Sequence, residues 1–217
     1  MRELEHSRPA DIEAESFRII GAELEERGIV LPADQAPLVK RAIHTTADFD
    51  YARNLRFTPG AVEAGVAALR AGTALVTDTN MALSGVNRGA CEQLGVERFC
   101  YMADPQVAER ARAERTTRAA AAVDCWASEH PAGIFAVGNA PTALLRLAEC
   151  MEAGTLRPAL VIGAPVGFVN VVESKERIWS VCQDLDVPAI VAMGRKGGST
   201  VAAAVCNALL YQAAGLR

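Results

Sequence analysis

The sequence predicts a three-layer α/β/α protein with a mostly parallel five-stranded sheet and a helical N-terminal segment. Two observations lead to this fold class. Short apolar runs alternate with helical patterns from about residue 58 onwards, which is typical of a parallel sheet covered by helices. The runs are also apolar at consecutive positions, as expected of strands that are buried on both faces.

Five runs are predicted to form the strands, namely 74–77, 98–102, 134–137, 159–162 and 189–193. The first intervening helix is expected to take Thr58 as its cap and Pro59 as its first residue, and to end at Gly72. Further helices are expected over 105–126 in two stretches, 141–154, 173–185 and 199–214. This alternation favours a flavodoxin-like arrangement of the sheet.

The first 45 residues or so carry no strand pattern and are predicted to form two helices, over 11–26 and 34–44. Phe17, Ile20 and Leu24 recur at helical spacing in the first of these. Because this segment has no strand of its own to cover, we expect these side chains to contact a second subunit. The expected assembly is a homodimer of two 23.0 kDa chains.

Composition favours one domain, residues 1–217, over two. With 51 % apolar residues and a net charge of −4, the chain lacks the basic excess of a nucleic-acid-binding protein. Its apolar runs are too short to span a membrane, and the residues after Met1 do not resemble a signal peptide. The six cysteines include no Cys-x-x-Cys pair, so we expect reduced packing residues in a cytoplasmic protein.

Polar or glycine-rich turns follow most of the predicted strands. They contain Asp78, Gly138-Asn139, 163–167 and 194–198. Ligands of such sheets bind beyond the carboxyl ends of the strands, where glycines let backbone N–H groups approach an anion. None of these turns is a Walker loop or a GxGxxG fingerprint, so nucleotide binding is disfavoured.

The decapeptide Arg41-Ala-Ile-His-Thr-Thr-Ala-Asp-Phe-Asp50 combines a proton carrier with possible anchors for an anion. His44 is one of three histidines, and an unperturbed imidazole titrates at about pH 6.5. Lys40 and Arg41 precede it by one helical turn and are expected on the same face. His44 is therefore the candidate acid–base group.

Other polar groups are expected to play smaller parts. A neighbour of His44 is predicted to orient its ring, the candidates being Thr45, Thr46 and Asp48. His6 and His130 are expected to be peripheral. The sequence contains no Cys/His cluster typical of a protein metal site.

Five motifs in order resemble the precorrin-8X methylmutase family of corrin biosynthesis. They are the decapeptide at 41–50, Gly138-Asn-Ala-Pro-Thr-Ala-Leu144, Gly163-Ala-Pro-Val-Gly-Phe168, Glu173-Ser-Lys175 and Gly194-Arg-Lys-Gly-Gly-Ser-Thr200. The similarity extends from about Ser16 to Asn207. Each motif alone is weak, but five at matching separations are specific.

The resemblance implies an isomerase that moves a methyl group from C-11 to C-12 of a macrocycle bearing seven acetate and propionate carboxylates. It implies that His44 is the catalytic proton donor and acceptor, and that no cofactor is needed, since any cobalt belongs to the substrate. It also implies substrate contacts for Ser16, Arg41, Arg118, Arg195, Gly197, Gly198 and Ser199.

Three alternatives remain open at this stage. The decapeptide is more similar to the cobalt-precorrin-8 branch of the family than to the metal-free precorrin-8X branch. A non-catalytic corrinoid carrier would use the same basic groups without needing His44. An FMN-dependent electron carrier is disfavoured, because only 5 % of the residues are aromatic and none clusters in the turns after the strands.

Overall fold

A computed structural model describes residues 9–216, so His6 lies outside the described residues. The helices are α1 (Pro9–Glu26), α2 (Ala36–Thr46), α3 (Tyr51–Asn54), α4 (Ala61–Arg70), α5 (Asn80–Gly85), α6 (Arg88–Leu94), α7 (Pro105–Ala113), α8 (Arg118–Glu129), α9 (Pro141–Glu152), α10 (Val171–Asp184) and α11 (Ser199–Ala214). The strands are β1 (Leu55–Phe57), β2 (Leu75–Thr77), β3 (Arg98–Phe99), β4 (Ile134–Val137), β5 (Leu160–Gly163) and β6 (Ala189–Ala192).

The described strands form one sheet in the order β1-β6-β5-β4-β2-β3. Strands β2 to β6 are the five predicted strands, and they pair in parallel. Their order is that of flavodoxin-like sheets. The sheet has one strand more than predicted, because β1 pairs antiparallel with β6 at the edge. A three-residue strand with an exposed arginine at its centre, Arg56, gives no recognisable strand pattern.

The prediction that Thr58 caps the next helix is wrong. The Thr58 hydroxyl oxygen accepts a hydrogen bond from the Ala189 amide at 2.8 Å, and the Thr58 amide donates to the Ala189 carbonyl at 3.0 Å. Thr58 thus extends the pairing of β1 with β6. Helix α4 begins later, after Gly60, whose φ of +71° is a conformation that glycine adopts without strain.

Successive strand residues face opposite sides of the sheet, which produces two apolar cores. Ile134 and Ala136 of β4 face α1, α2, α4 and α11, whereas Phe135 and Val137 face α7 to α10. The predicted three-layer architecture is therefore confirmed. Its consequence for function is that α2, which carries His44, lies directly on α11, which begins beyond the end of β6.

Helix α1 packs on α2 through part of the stripe that was expected to contact a second subunit. Ile20 and Leu24 are buried in the core of their own chain, so that part of the expectation is wrong. On the outer side of α1, Ile12 and Ile19 remain 50 % and 44 % exposed. Across residues 9–216, no helix combines the length and the apolarity needed to cross a membrane.

Candidate functional site

His44 lies in the last turn of α2 and is held from one side by α1. Its Nδ1 atom is 2.7 Å from the hydroxyl oxygen of Ser16, and its ring stacks on Phe17 with centroids 5.4 Å apart. Two of the three expected orienting neighbours have other roles. Thr46 donates to the Ala42 carbonyl of its own helix, and Asp48 pairs with a lysine described below. Two residues of α1 therefore fix the imidazole.

The hydrogen bond to Ser16 suits a ring that gains and loses a proton. A serine hydroxyl can donate to a bare Nδ1 or accept from a protonated Nδ1 by rotating about its C–O bond. The other ring nitrogen, Nε2, has no hydrogen-bond partner among the described residues. His44 can therefore exchange a proton at Nε2 while its Nδ1 contact persists.

A cavity of about 580 Å³ opens between α1 and the end of α2, and His44 and Ser16 line it. Apolar side chains form most of the remaining wall, namely Ile12, Ile19, Ile20, Ile43 and Phe49. The acidic side chains at its rim are paired, Glu15 with Arg18 and Glu23 with Arg27. This wall is suited to an apolar ring rather than to a small ion.

Arg41 lies one turn before His44, as predicted, but it is already engaged. Its Nη1 atom is 2.8 Å from a carboxylate oxygen of Glu13 on α1, and only 17 % of its side chain is exposed. Its guanidinium also lies between the rings of Phe17 and Tyr211, at 5.1 and 4.7 Å from their centroids. A ligand carboxylate would compete with Glu13 for this guanidinium or bind its other N–H donors. Lys40, expected on the same face, places its Nζ atom beside α1, 3.3 Å from where a Cβ on Gly21 would lie.

The turn between β6 and α11 brings four of the predicted residues together, Arg195, Gly197, Gly198 and Ser199. The Gly198 amide donates to the Ala164 carbonyl at 2.7 Å, so it is not available to a ligand in this conformation. A Cβ atom on Gly197 would overlap the carbonyl oxygens of Ala164 and Pro165. The Ser199 hydroxyl lies 2.8 Å from that of Thr79. This turn thus packs against the turn after β5 through close backbone contacts.

The two remaining predicted arginines, Arg118 and Arg195, are both exposed. Arg195 lies over the ring of Phe168, 5.5 Å from its centroid, and that ring is 84 % exposed. Arg118 opens α8, on the opposite face of the sheet from His44. No hydrogen bond or ion pair of the described residues joins Arg118 to His44. Arg118 thus does not line the cavity that contains His44 in this chain.

Lys196 connects the turn before α11 to the chain that follows His44. Its Nζ atom is 2.6 Å from carboxylate oxygens of both Asp48 and Asp50. The hydrogen bond from Lys196 lowers the pKa of Asp48, and the two carboxylates raise the pKa of Lys196. We refer to Lys196, Asp48 and Asp50 as the ionic clasp. It joins the turn before α11 to the segment that follows α2.

Asp78 follows β2 and occupies the crevice where the sheet order reverses. Its carboxylate accepts hydrogen bonds from the amides of Gly138, Asn139 and Ala140 at 2.7 to 2.8 Å. Burial raises the pKa of Asp78, and these three donors oppose the rise. The amides of this turn, expected to face an anionic ligand, therefore bind an internal carboxylate instead.

Sequence reasoning missed the side chains that organise the site. Phe17 and Glu13 contact His44 and Arg41 from α1, and their i, i+4 spacing with Ser16 between them is the signal that could have placed them on one face. Lys175 of α10 binds two carbonyl groups of the turn before α11. Its position within a family-like motif gave no indication of that contact. In residues 9–216, no group of three or more His, Cys, Asp and Glu side chains is arranged to hold a metal ion.

Comparison with known proteins identifies relatives along nearly the whole chain. The family model for precorrin-8X methylmutase matches residues 11–212. The cobalt-precorrin-8 methylmutase of Salmonella typhimurium is 45 % identical over 208 residues, covering 94 % of this chain and 95 % of its own. The enzyme of that name from Priestia megaterium is 43 % identical, covering 93 % and 87 %. The precorrin-8X methylmutase of Pseudomonas aeruginosa is 40 % identical, covering 90 % and 91 %.

A solved structure of similar fold is also a precorrin-8X methylmutase. The crystal structure of the precorrin-8X methylmutase from Thermus thermophilus superposes with a TM-score of 0.83 at 42 % sequence identity, covering 94 % of this chain and 98 % of that one. Sequence and fold therefore agree over the same span. The chain belongs to the precorrin-8X methylmutase family.

Proposed function

We propose that this protein is the isomerase that converts cobalt-precorrin-8 to cobyrinate by moving a methyl group from C-11 to C-12. The observation that carries the proposal is the pair formed by His44 and Ser16, 2.7 Å apart at the wall of a largely apolar cavity. An apolar wall suits a macrocycle, and the imidazole supplies the proton that the rearrangement needs.

The reaction follows from a proton held at Nε2 of His44. Transfer of that proton to the conjugated ring system near ring C withdraws electrons from the ring. The methyl group then leaves C-11 as its bond to C-12 forms, and the same electron pair serves both bonds. Return of the proton to Nε2 completes an isomerisation that consumes no oxidant and no methyl donor. General acid catalysis of this kind contributes roughly 10²- to 10⁴-fold in rate.

The substrate's carboxylates need cationic partners at the rim. Arg41 can serve by turning some of its five N–H donors to a substrate carboxylate, in competition with Glu13, which is 2.8 Å from Nη1. Arg195 is exposed beside the apolar ring of Phe168, so it offers a charge next to a surface for the macrocycle. The proposal requires no cofactor of the protein's own, and any cobalt enters as part of the substrate.

The metal-free precorrin-8X is the alternative substrate, and it is favoured by the name of the Pseudomonas aeruginosa relative. Purified protein mixed separately with cobalt-precorrin-8 and with precorrin-8X decides between the two. We expect the absorption spectrum of cobyrinate to appear from the cobalt substrate at the higher kcat/KM. Faster conversion of the metal-free substrate to hydrogenobyrinate would reverse the assignment. Tight binding without conversion of either would favour a corrinoid carrier.

We further propose that the protein works as a homodimer in the cytoplasm. Ile12 and Ile19, exposed on α1 beside the cavity, provide an apolar surface that a second copy could cover. The six free cysteines are compatible with a reducing compartment. Light scattering over a hundredfold range of concentration tests the assembly, and a constant mass of 23.0 kDa would contradict it.

A further inference from the structure

Lys175 is an unusual lysine, because none of its side chain is exposed to solvent. It belongs to α10, and its Nζ atom donates to the carbonyl oxygens of Gly194 and Lys196 at 2.8 and 2.7 Å. These two carbonyl groups flank Arg195 in the turn before α11. A single ammonium group therefore fixes the backbone on both sides of an arginine that faces solvent.

This buried charge is costly to the folded protein. No ion pair joins Lys175 to a carboxylate within residues 9–216, and burial alone lowers its pKa from 10.5 to about 8. An apolar side chain of similar length would fill the same space without that cost. Packing therefore does not explain a lysine at this position. Its two hydrogen bonds to the carbonyl groups of the turn do.

The turn that Lys175 binds also contacts the segment that follows α2, the helix of His44. Lys196 extends from it to the carboxylates of Asp48 and Asp50, both at 2.6 Å. These residues follow α2, which ends at Thr46 and is closed by Ala47 in a left-handed conformation. A continuous series of polar contacts thus runs from the interior of α10 to the end of the catalytic helix.

We propose that Lys175 is a positioning residue for the methyl migration. By holding the carbonyl groups of Gly194 and Lys196, it orients Arg195 towards the substrate rim and directs Lys196 into the ionic clasp beside α2. It acts through these residues and does not touch the substrate. The proposal rests on the proposed function, but its structural part can be measured without turnover.

The first test measures, in Lys175→Met, whether Lys196 still pairs with Asp48. In the wild type, the hydrogen bond from Lys196 lowers the pKa of Asp48 below its ordinary value of 3.8. If Lys175 positions Lys196, the variant should return the Asp48 titration, followed by carboxyl ¹³C NMR, towards that ordinary value. An unchanged Asp48 titration in the folded variant would overturn the proposal, whatever the protein is found to catalyse.

The matched control is Ser174→Ala. Ser174 is equally buried on the same helix, but its hydroxyl donates to the Val171 carbonyl within α10 and does not reach the turn. It should leave the Asp48 titration and turnover unchanged at a similar melting temperature. Lys175→Gln is measured in parallel as a polar variant, in case Lys175→Met does not fold. Its shorter side chain should change both measurements in the same direction.

The second test uses turnover of cobalt-precorrin-8. Lys175→Met should lower kcat by about tenfold and raise KM, and Lys196→Met should do the same. Since Lys175 acts partly through Lys196, the loss in the double variant should be smaller than the product of the two single losses. Losses that multiply would overturn the proposed route through Lys196. A wild type that does not convert the substrate would contradict the proposed function, while the titration would still decide the role of Lys175.

Discussion

The two sides of the candidate site are built by different means. On the α1–α2 side, side chains alone make the decisive contacts, with Ser16 and Phe17 against His44 and Glu13 against Arg41. On the side of the turn before α11, backbone groups take part in them, as in the bond from the Gly198 amide to the Ala164 carbonyl and in the two carbonyl groups that Lys175 binds. Side-chain contacts between two helices can be altered singly, whereas packed backbones cannot.

This comparison predicts that residues of the α1–α2 side act mainly in catalysis and binding, whereas the backbone of the turn acts mainly in stability. Substitutions on the α1–α2 side should change turnover or binding and leave folding intact. Substitutions at the glycines of the turn, unlike those at Arg195 and Lys196, should change stability first and turnover as a consequence. The following experiments test that division, in order of decreasing expected effect.

His44→Asn should cause the largest loss of activity. Asparagine keeps a donor of similar size but cannot cycle a proton near neutral pH, so we expect kcat to fall at least about 100-fold. Because His44 is exposed, the melting temperature should not change. Steady-state kinetics and thermal unfolding measure the two quantities. Turnover at the wild-type rate would show that His44 is not the proton donor.

Arg41→Ala should weaken binding of the corrinoid product about ten- to a hundredfold, which corresponds to the loss of a charged hydrogen bond worth about 1.5–3 kcal/mol. Glu13→Gln is the matched variant, because it removes the negative charge that now competes with the ligand for Arg41. It should tighten binding in the same spectral titration. Equal weakening by both substitutions would mean that their contact serves only to join α1 to α2.

Gly197→Ala should reduce stability rather than chemistry. The added Cβ would meet two carbonyl oxygens of the neighbouring turn, and overpacking of this kind costs about 1–3 kcal/mol. Gly89→Ala in α6 is the control, because the nearest atom to its Cβ would be 3.6 Å away. Urea unfolding should show a lower midpoint for the first variant only. Two identical midpoints would show that the turn adapts.

Ser16→Ala removes the hydrogen bond to Nδ1 of His44 but leaves the ring stacked on Phe17. A net hydrogen bond is worth about 0.5–1.5 kcal/mol, so kcat should fall about tenfold or less. Ser180→Ala, on α10, is the same substitution far from the site and should have no effect on kcat. If both variants turned over at the wild-type rate, Phe17 alone would suffice to orient the imidazole.

The ionic clasp should give a small dependence of stability on acid pH. The lowered pKa of Asp48 means that its carboxylate stabilises the fold above the unfolded value of about 3.8, and that this contribution disappears as pH falls through the lower folded value. Exposed ion pairs contribute little, so the effect should be slight. The melting temperature between pH 2 and 5 should fall less steeply in Asp48→Asn than in the wild type. Parallel curves would exclude this contribution.

The sequence predicted the elements and residues that can be identified from a local pattern of residue types. The runs that became β4 and β6 are apolar at every position, and only a doubly covered strand explains such a run. Strand β1 escaped prediction because its pairing with β6 depends on residues more than 130 positions away. His44 was identified by its chemistry, but its partners on α1 depend on how two helices cross. The roles of the predicted site residues stay predictions until the variants are measured.

The carboxylate of Asp78 has a consequence for where this sheet can bind a ligand. In flavodoxin-like sheets, the crevice where the strand order reverses is the ordinary place for a phosphate-bearing cofactor. Here three amides of that crevice already bind an anion that is part of the chain, and an added Cβ at Gly138 would lie 2.7 Å from the Cα of Ser199. The crevice is therefore closed to a phosphate by the chain's own carboxylate. The cavity that His44 lines lies elsewhere, between α1 and the end of α2.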